Sequence, residues 1–232
     1  MGQCVLVVDD ERPIRTMLRA YLMDAGYDVV EAALGTEALR KLAAQPVDLV
    51  LLDLGLPDTG GMEVLATIRE VSDVPVILVT ARAEELDKLI GLEAGADDYV
   101  TKPFSPREVV ARVNTVLRRS IRHGGSPPLD PVLRVACLVI DPRTRVVSVD
   151  DRPVSLTALE FDLLHALASD TGRVFSRAQL LQSVWGYDFY GDERVVDVHI
   201  RRIRAALGDD AANPRLIGTV RGVGYRLLAD TA

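Results

Sequence analysis

The chain has 232 residues, 48% of them hydrophobic and 26% charged, and carries a formal net charge of −7 at pH 7. This length suits two modest domains, and the composition is ordinary for a globular protein. No apolar stretch approaches the roughly 20 residues of a bilayer span and no cationic leader precedes the first strand, so a membrane protein is excluded and a cytoplasmic one expected.

The first apolar run, Val5-Leu6-Val7-Val8, ends on two adjacent carboxylates, Asp9 and Asp10. A helical stretch follows, with apolar residues at Ile14, Leu18 and Leu22. Leu49-Val50-Leu51-Leu52 then ends on Asp53, Val76-Ile77-Leu78-Val79 on Thr80, and Tyr99-Val100-Thr101 on Lys102. Short apolar runs separated by longer helical stretches read as buried parallel strands. The alternation repeats five times through about Arg119, its last helix marked by Val109, Val113 and Val116, and predicts a doubly wound sheet. Residues just past the C-terminal ends of such strands share one edge, where three acids, a hydroxyl and an ammonium therefore converge. Carboxylates that close suit a hard cation such as Mg2+, while Thr80 and Lys102 suit a phosphoryl group. The chemistry expected is phosphorylation of an aspartate. Taken singly, Asp10, followed by Glu11 and Pro13, also reads as a helix N-cap, and Asp53 and Thr80 as ordinary strand-end residues. Lys102 is one of three lysines beside 24 arginines, and its retention as lysine fits a point-charge role.

Ser120 to Pro128 lacks periodicity and is rich in turn formers, so it reads as a linker between domains at 1–119 and 129–232. Cys4 and Cys137 then fall in different domains and read as separate thiols. Leu133–Val135, Leu138–Ile140, Val146–Val149 and Val154 predict a small antiparallel sheet. Thr157 with Glu160, and Ser176 with Gln179, are capping boxes that each start a helix. A third helix is expected from about Glu193 to Leu207, stopped by Gly208, and a last pair of strands surrounds Arg221-Gly222-Val223-Gly224. Residues 1–119 hold 13 basic against 20 acidic side chains, whereas Arg194 to Arg226 hold seven arginines against three aspartates. Nucleic acid therefore fits that end only. In the third helix Val196, Ile200, Ile203 and Leu207 face a core; Arg194, Val198, Arg201, Arg202 and Ala205 lie opposite, flanked by His199 and Arg204. Those arginines suit guanine edges or phosphates, and Val198 a thymine methyl. A solvated helix face shows the same arginine pattern.

Together these motifs resemble a response regulator of two-component signalling, of the OmpR/PhoB winged-helix subfamily, over nearly the whole chain outside the linker. The resemblance implies an α/β flavodoxin-like (βα)5 receiver, strand order 2-1-3-4-5, followed by an α+β winged helix-turn-helix domain. It implies that Asp53 accepts a phosphoryl group from a sensor histidine kinase. Asp9, Asp10, Asp53 and the backbone carbonyl of Gly55 would hold Mg2+, Lys102 and Thr80 would contact phosphoryl oxygens, and Lys102-Pro103 would be cis. Thr80 and Tyr99 are the implied switch residues, although Tyr99 alone reads as a half-buried strand tyrosine. An active homodimer is implied through the pairs Lys88–Glu108, Asp98–Arg112 and Asp97–Arg119, with apolar contact from Leu92 and Val110. The stripe Glu108, Arg112, Arg119 otherwise reads as a solvated helix face. Arg194 to Arg204 resembles the recognition helix and Thr219 to Arg226 the wing, with Arg221 entering a minor groove of promoter DNA. Trp185-Gly186-Tyr187 through Gly191 resembles the loop offered to RNA polymerase, while Trp185 and Tyr225 singly read as packing residues.

The function implied is a phosphorylation-dependent, sequence-specific transcription factor that catalyses only its own phosphorylation and dephosphorylation. One rival is a winged-helix regulator whose DNA binding ignores phosphorylation. Another is an aspartyl phosphohydrolase, which places a second acid two residues after its nucleophile, where this chain has Gly55. Gly55 and Gly60 depart from commoner receiver residues, and Gly60 is expected to loosen the loop after Asp53.

Overall fold

A computed structural model of the chain describes residues 2–81, 94–121, 131–186 and 193–229, the side chains of 118–121 excepted. The chain divides into two compact units, Met1–Arg118 and Arg119–Ala232.

In the first unit the apolar runs form β1 (Cys4–Val8), β2 (Asp28–Ala32), β3 (Leu49–Asp53), β4 (Val76–Thr80) and β5 (Asp98–Thr101), all parallel, in the order β2-β1-β3-β4-β5. This is the expected flavodoxin-like order. Every residue of β3 and β4 is buried, which is why their first four residues are continuously apolar rather than alternating. The helices are α1 (Arg12–Asp24), α2 (Gly35–Ala44), α3 (Gly61–Val71) and α4 (Pro106–Ile121). Val5, Val7, Leu49, Leu51, Ile77, Val79 and Val100 form one core cluster with Leu18 and Leu22 of α1 and with Val109, Val113 and Val116 of α4. Residues four apart lie on one helix stripe, so each of these helices needs only that stripe to be apolar. Helix α3 buries Val64, Leu65 and Ile68. The crossover helix expected between β4 and β5 falls on residues 82–93, outside those described. Helix α4 takes in Ser120 and Ile121, where the linker was expected to begin; the rest of that segment, through Pro128, also lies outside. The register pairs Val8 with both Ala32 and Leu52, Asp53 with Val79, and Thr80 with Thr101, so the strands finish together at one edge.

In the second unit β6 (Leu133–Val135), β7 (Leu138–Asp141), β8 (Val146–Val149) and β9 (Arg152–Val154) make an antiparallel meander. Asp150 and Asp151 turn from β8 into β9 with φ of 49° and 60°, the double left-handed geometry that two-residue hairpins favour and that aspartate tolerates. Helices α5 (Ala158–Ala168) and α6 (Arg177–Val184) start on the two expected capping boxes, both fully formed. Helix α7 (Arg194–Leu207) ends on Gly208, at φ 66°. Strand β10 (Phe175–Ser176) joins β11 (Ile217–Val220) and β12 (Gly224–Leu227) in the order β10-β12-β11. The reading of the sequence missed β10, because two residues carry no periodicity. A Cβ on Gly224 would stand 1.9 Å from the Phe175 carbonyl oxygen, so this pairing requires glycine. Trp185 is fully buried and its ring tilts against His199 with centroids 5.6 Å apart, the packing role it suggested singly. Among the described residues no helix is long and apolar enough to cross a membrane.

Candidate functional site

The sheet edge assembles the expected cluster. Lys102, just past β5, places Nζ 2.8 Å from Asp9 Oδ2, 2.8 Å from Asp53 Oδ2 and 3.1 Å from Glu11 Oε1. Asp9 and Asp53 are 1% and 5% exposed, Thr80 is buried, and Asp10 is open to solvent. Carboxylate oxygens of Asp9, Asp10 and Asp53 lie within 4.8 Å of one another, a set of hard donors that fits a small divalent cation. Burial pushes the Asp9 carboxyl above the ordinary carboxylate range, against the lowering influence of Lys102 and the Glu11 N–H. Burial would also pull the Lys102 ammonium down, but the hydrogen bonds and charges of Asp53, Asp9 and Glu11 outweigh it and hold Lys102 above its usual value. Asp53 Oδ1 accepts a hydrogen bond from the Gly55 N–H at 3.0 Å, and the Thr80 carbonyl accepts one from the Lys102 N–H at 2.8 Å. A Cβ on Gly55 would sit 3.7 Å from both Asp53 oxygens, so glycine leaves that flank of the carboxylate open. Lys102-Pro103 is cis, as expected.

Four residues here escaped the reading of the sequence. Glu11, not Asp10, is the N-cap of α1, and its side chain turns to Lys102. Arg15 Nη1 donates to the carbonyls of Asp9 at 2.6 Å and Asp10 at 2.9 Å. Asp58, in the loop after Asp53, accepts from the N–H groups of Gly35 and Thr36 at 2.9 and 3.0 Å and from the Thr36 hydroxyl at 2.8 Å. It thus caps α2 from another loop, and those backbone N–H groups hold its carboxyl well below the usual range. The loop that Gly60 was expected to loosen is tied down by this cap. Gly61 is the fourth: a Cβ there would meet the Asp53 carbonyl oxygen at 2.3 Å, so α3 begins directly against the backbone of Asp53. Glu11 and Arg15 sit within one or two helical turns of Asp9, a signal that could have found them. Asp58 offered none, since its partners are 22 and 23 residues away.

Several residues expected at a dimer interface already have partners within the chain. Asp97 is buried and accepts from Arg69 Nη2 at 2.9 Å and from the Val76 N–H at 2.8 Å. Asp98 pairs within the chain with Arg112 at 2.8 Å, and Arg112 also binds Glu108 at 2.8 Å. Burial acts to lower Arg112, yet Asp98 and Glu108 keep it above its ordinary value. Within the chain Arg112 of the expected stripe is therefore buried between two acids: Glu108 and Arg112 stand one turn apart and meet each other, and the edge strand β5 supplies Asp98 to the same guanidinium. Glu108 and Val110 are partly exposed, and Tyr99 is half-buried. Lys88, Leu92 and the Arg119 side chain lie outside the described residues.

On α7, Arg194 and Arg201 are exposed, and Arg202, partly exposed, sets Nε 2.7 Å from Glu160 Oε1 of the α5 capping box. Val198, His199 and Arg204 are buried, contrary to their expected place on the DNA-facing side. Arg204 Nη2 donates to the Ile217 carbonyl at 2.6 Å and the Thr219 hydroxyl at 2.8 Å, and its guanidinium lies over the Tyr225 ring. A wheel drawn for α7 alone assumes one covered face, whereas α5, α6 and the β11–β12 hairpin cover more than one. Asp197 pairs with Arg177 of α6 at 2.7 Å and also accepts from the Tyr225 hydroxyl at 2.6 Å. At the hairpin tip Arg221, Gly222 and Val223 are exposed, with Gly222 at φ 74°. Tyr187 to Gly191 lie outside the described residues.

Burial, followed by the Asp197 hydrogen bond, pushes the Tyr225 phenol up to about 12. The folded chain holds this proton more tightly than the unfolded chain, whose phenol titrates near 10. Its stabilisation is therefore complete below about pH 10 and lost as pH rises toward about 12. Tyr225→Phe should flatten the fall in stability across that window by about 2 kcal/mol relative to wild type, read from Trp185 fluorescence during urea unfolding.

Residues 5–114 match the response regulator receiver domain family, and residues 151–227 match the C-terminal domain of transcriptional regulatory proteins. The sequence is 44% identical over 223 residues to the sensory transduction protein RegX3 of Mycolicibacterium smegmatis, covering 96% of this chain and 98% of that one. Among solved structures, the response regulator DrrB of Thermotoga maritima, an OmpR/PhoB homologue, is 34% identical with a TM-score of 0.54, covering 99% of this chain and 100% of that one. A RitR point mutant is 27% identical with a TM-score of 0.77 and the same coverage, 99% and 100%.

Proposed function

Because the chain belongs to the response regulators of the OmpR/PhoB winged-helix class, regulators of transcription that answer to phosphorylation, we propose that Asp53 is its phosphoryl acceptor and a sensor histidine kinase its donor. The observation that carries this is Lys102, whose ammonium stands 2.8 Å from both Asp53 and Asp9 at an edge where Asp10 supplies a third carboxylate. An Asp53 oxygen attacks phosphorus, the P–N bond to the kinase histidine breaks, and the imidazole takes up a proton as it leaves, yielding an acyl phosphate. Lys102 pairs with one phosphoryl oxygen, and the Thr80 hydroxyl, at the end of the adjacent strand, donates to another. Asp9, Asp10, Asp53 and the Gly55 carbonyl would hold Mg2+, which supplies the charge neutralisation that an anionic nucleophile needs to approach an anionic phosphoryl group.

Drawing Thr80 inward makes room for Tyr99 on the neighbouring strand β5 to follow, and this biases the β5–α4 face toward pairing with a second copy. Glu108 and Val110 are the partly exposed residues that support that dimer. Two winged helices then take adjacent promoter half-sites through Arg194, Arg201, Arg202 and Arg221, with Arg204 and His199 as supports beneath them. RNA polymerase is a third partner on family grounds, through the segment after Trp185. A protein with these partners works in the cytoplasm. Its own phosphorylation and dephosphorylation are the only reactions assigned to it, and Gly55, in place of a second acid, speaks against a phosphohydrolase.

The test is recovery of sheared genomic DNA from the source organism by the purified chain, with and without prior phosphorylation. Phosphorylated protein should enrich discrete fragments bearing paired repeats, and the unphosphorylated protein far fewer. Equal enrichment by both forms would favour the phosphorylation-independent reading.

A further inference from the structure

We infer that Arg15 is a positioning residue for the cation site, its guanidinium fixing the backbone turn that presents Asp9 and Asp10; this rests on the reading of Asp9, Asp10 and Asp53 as the set that holds the ion. Asp10 is exposed and its side chain has no partner among the described residues, so only its backbone aims the carboxylate. That backbone is held by Arg15, where one Nη1 donates to the carbonyls of both Asp9 and Asp10 at 2.6 and 2.9 Å. Around it, the Asp9 N–H donates to the Ala32 carbonyl at 3.2 Å, and Asp9 Oδ1 accepts from the Glu11 N–H at 2.9 Å. The N-cap Glu11 makes no side-chain cap bond, so beside these two contacts the grip of Arg15 on the two carbonyls is what fixes the turn at the start of α1. Arg15 is itself oriented: its side chain is 15% exposed, and Nε approaches Glu31 of β2 at 4.0 Å.

Two effects of Arg15 on a bound dication oppose each other. Its positive charge repels the ion, while its grip on the two carbonyls preorganises the carboxylates that receive it. Arg15→Lys keeps the charge but its shorter side chain ends before the place of Nη1, which makes both bonds, whereas Arg15→Gln loses charge and reach together, so the pair of variants separates charge from geometry. Partners that orient metal ligands typically change affinity about tenfold or more when removed.

The experiment is calorimetric titration of the full chain with MgCl2, for wild type, Arg15→Lys, Arg15→Gln and Asp10→Asn, with thermal unfolding of each in EDTA. Positioning predicts Mg2+ affinity weakened about tenfold in both Arg15 variants, whatever their metal-free unfolding midpoints. A charge effect alone would leave Arg15→Lys unchanged and tighten Arg15→Gln, and a purely structural role would lower both midpoints without moving affinity; either result overturns the inference. If Asp10→Asn binds Mg2+ as wild type does, or wild type binds none, the cation-site reading fails first and this inference with it.

Discussion

Asp53→Asn is expected to take up no phosphoryl group from a small-molecule donor in the presence of Mg2+, whereas the wild-type chain gains the mass of one. The substitution replaces a nucleophilic carboxylate with a neutral carboxamide of nearly the same shape, so it removes the chemistry and spares the packing. The Asn oxygen can still accept from the Gly55 N–H, and Lys102 retains Asp9 at 2.8 Å and Glu11 at 3.1 Å. Lys102 loses one partner, but Asp9 is relieved of a neighbouring like charge. These effects oppose each other, and the net change in stability should stay within about 1 kcal/mol. The larger effect is downstream. Couplings between two sites are typically about 1–3 kcal/mol, or roughly 5–150-fold in affinity, so phosphorylated wild type should bind its promoter tighter by a factor in that range. Asp53→Asn should remain at the unphosphorylated affinity under all donor conditions. A mass gain in the variant would move the acceptor to another residue. An unlabelled variant that binds as tightly as phosphorylated wild type would uncouple DNA binding from Asp53.

Arg201→Ala should weaken specific DNA binding by about 1–3 kcal/mol, roughly 5–150-fold at fixed salt, with little change in thermal stability. Arg201 is exposed on α7 between residues that are not: Ile200 and Ile203 face the core and Arg204 is committed to β11. Affinity measured at several salt concentrations separates the two contacts it could make. A lost phosphate contact weakens all sequences alike and lowers the salt slope by about 1, while a lost base contact relaxes the preference at one position. Arg204→Ala is the control. It would leave the Ile217 carbonyl and the Thr219 hydroxyl without their donor, so stability and DNA binding should fall together. If Arg201→Ala binds its promoter as wild type does, α7 is not the reading element.

Much of this architecture was legible along the chain. The parallel sheet announced itself because strands buried on both faces must be apolar throughout, and Asp9, Asp53, Thr80 and Lys102 were visible because each interrupts such a run where it stops. The capping boxes at Thr157 and Ser176 and the stop at Gly208 were visible because their chemistry is satisfied within three or four residues. Such features depend on neighbours in sequence, and sequence states them.

Only the folded chain decided who partners whom. Lys102 reaches Glu11 across 91 positions, and Asp58 caps a helix 22 residues before it. Asp98 and Arg112 meet inside one chain across 14 positions, and Arg204 turned from a DNA-facing flank into a strut for the β11–β12 hairpin. Helical and strand periodicity record which side of an element is apolar, because that follows from the element's own geometry. The partner of a charged side chain, and whether a helix is covered on one side or two, depend on elements brought together from distant parts of the chain, and no local pattern of residues contains that.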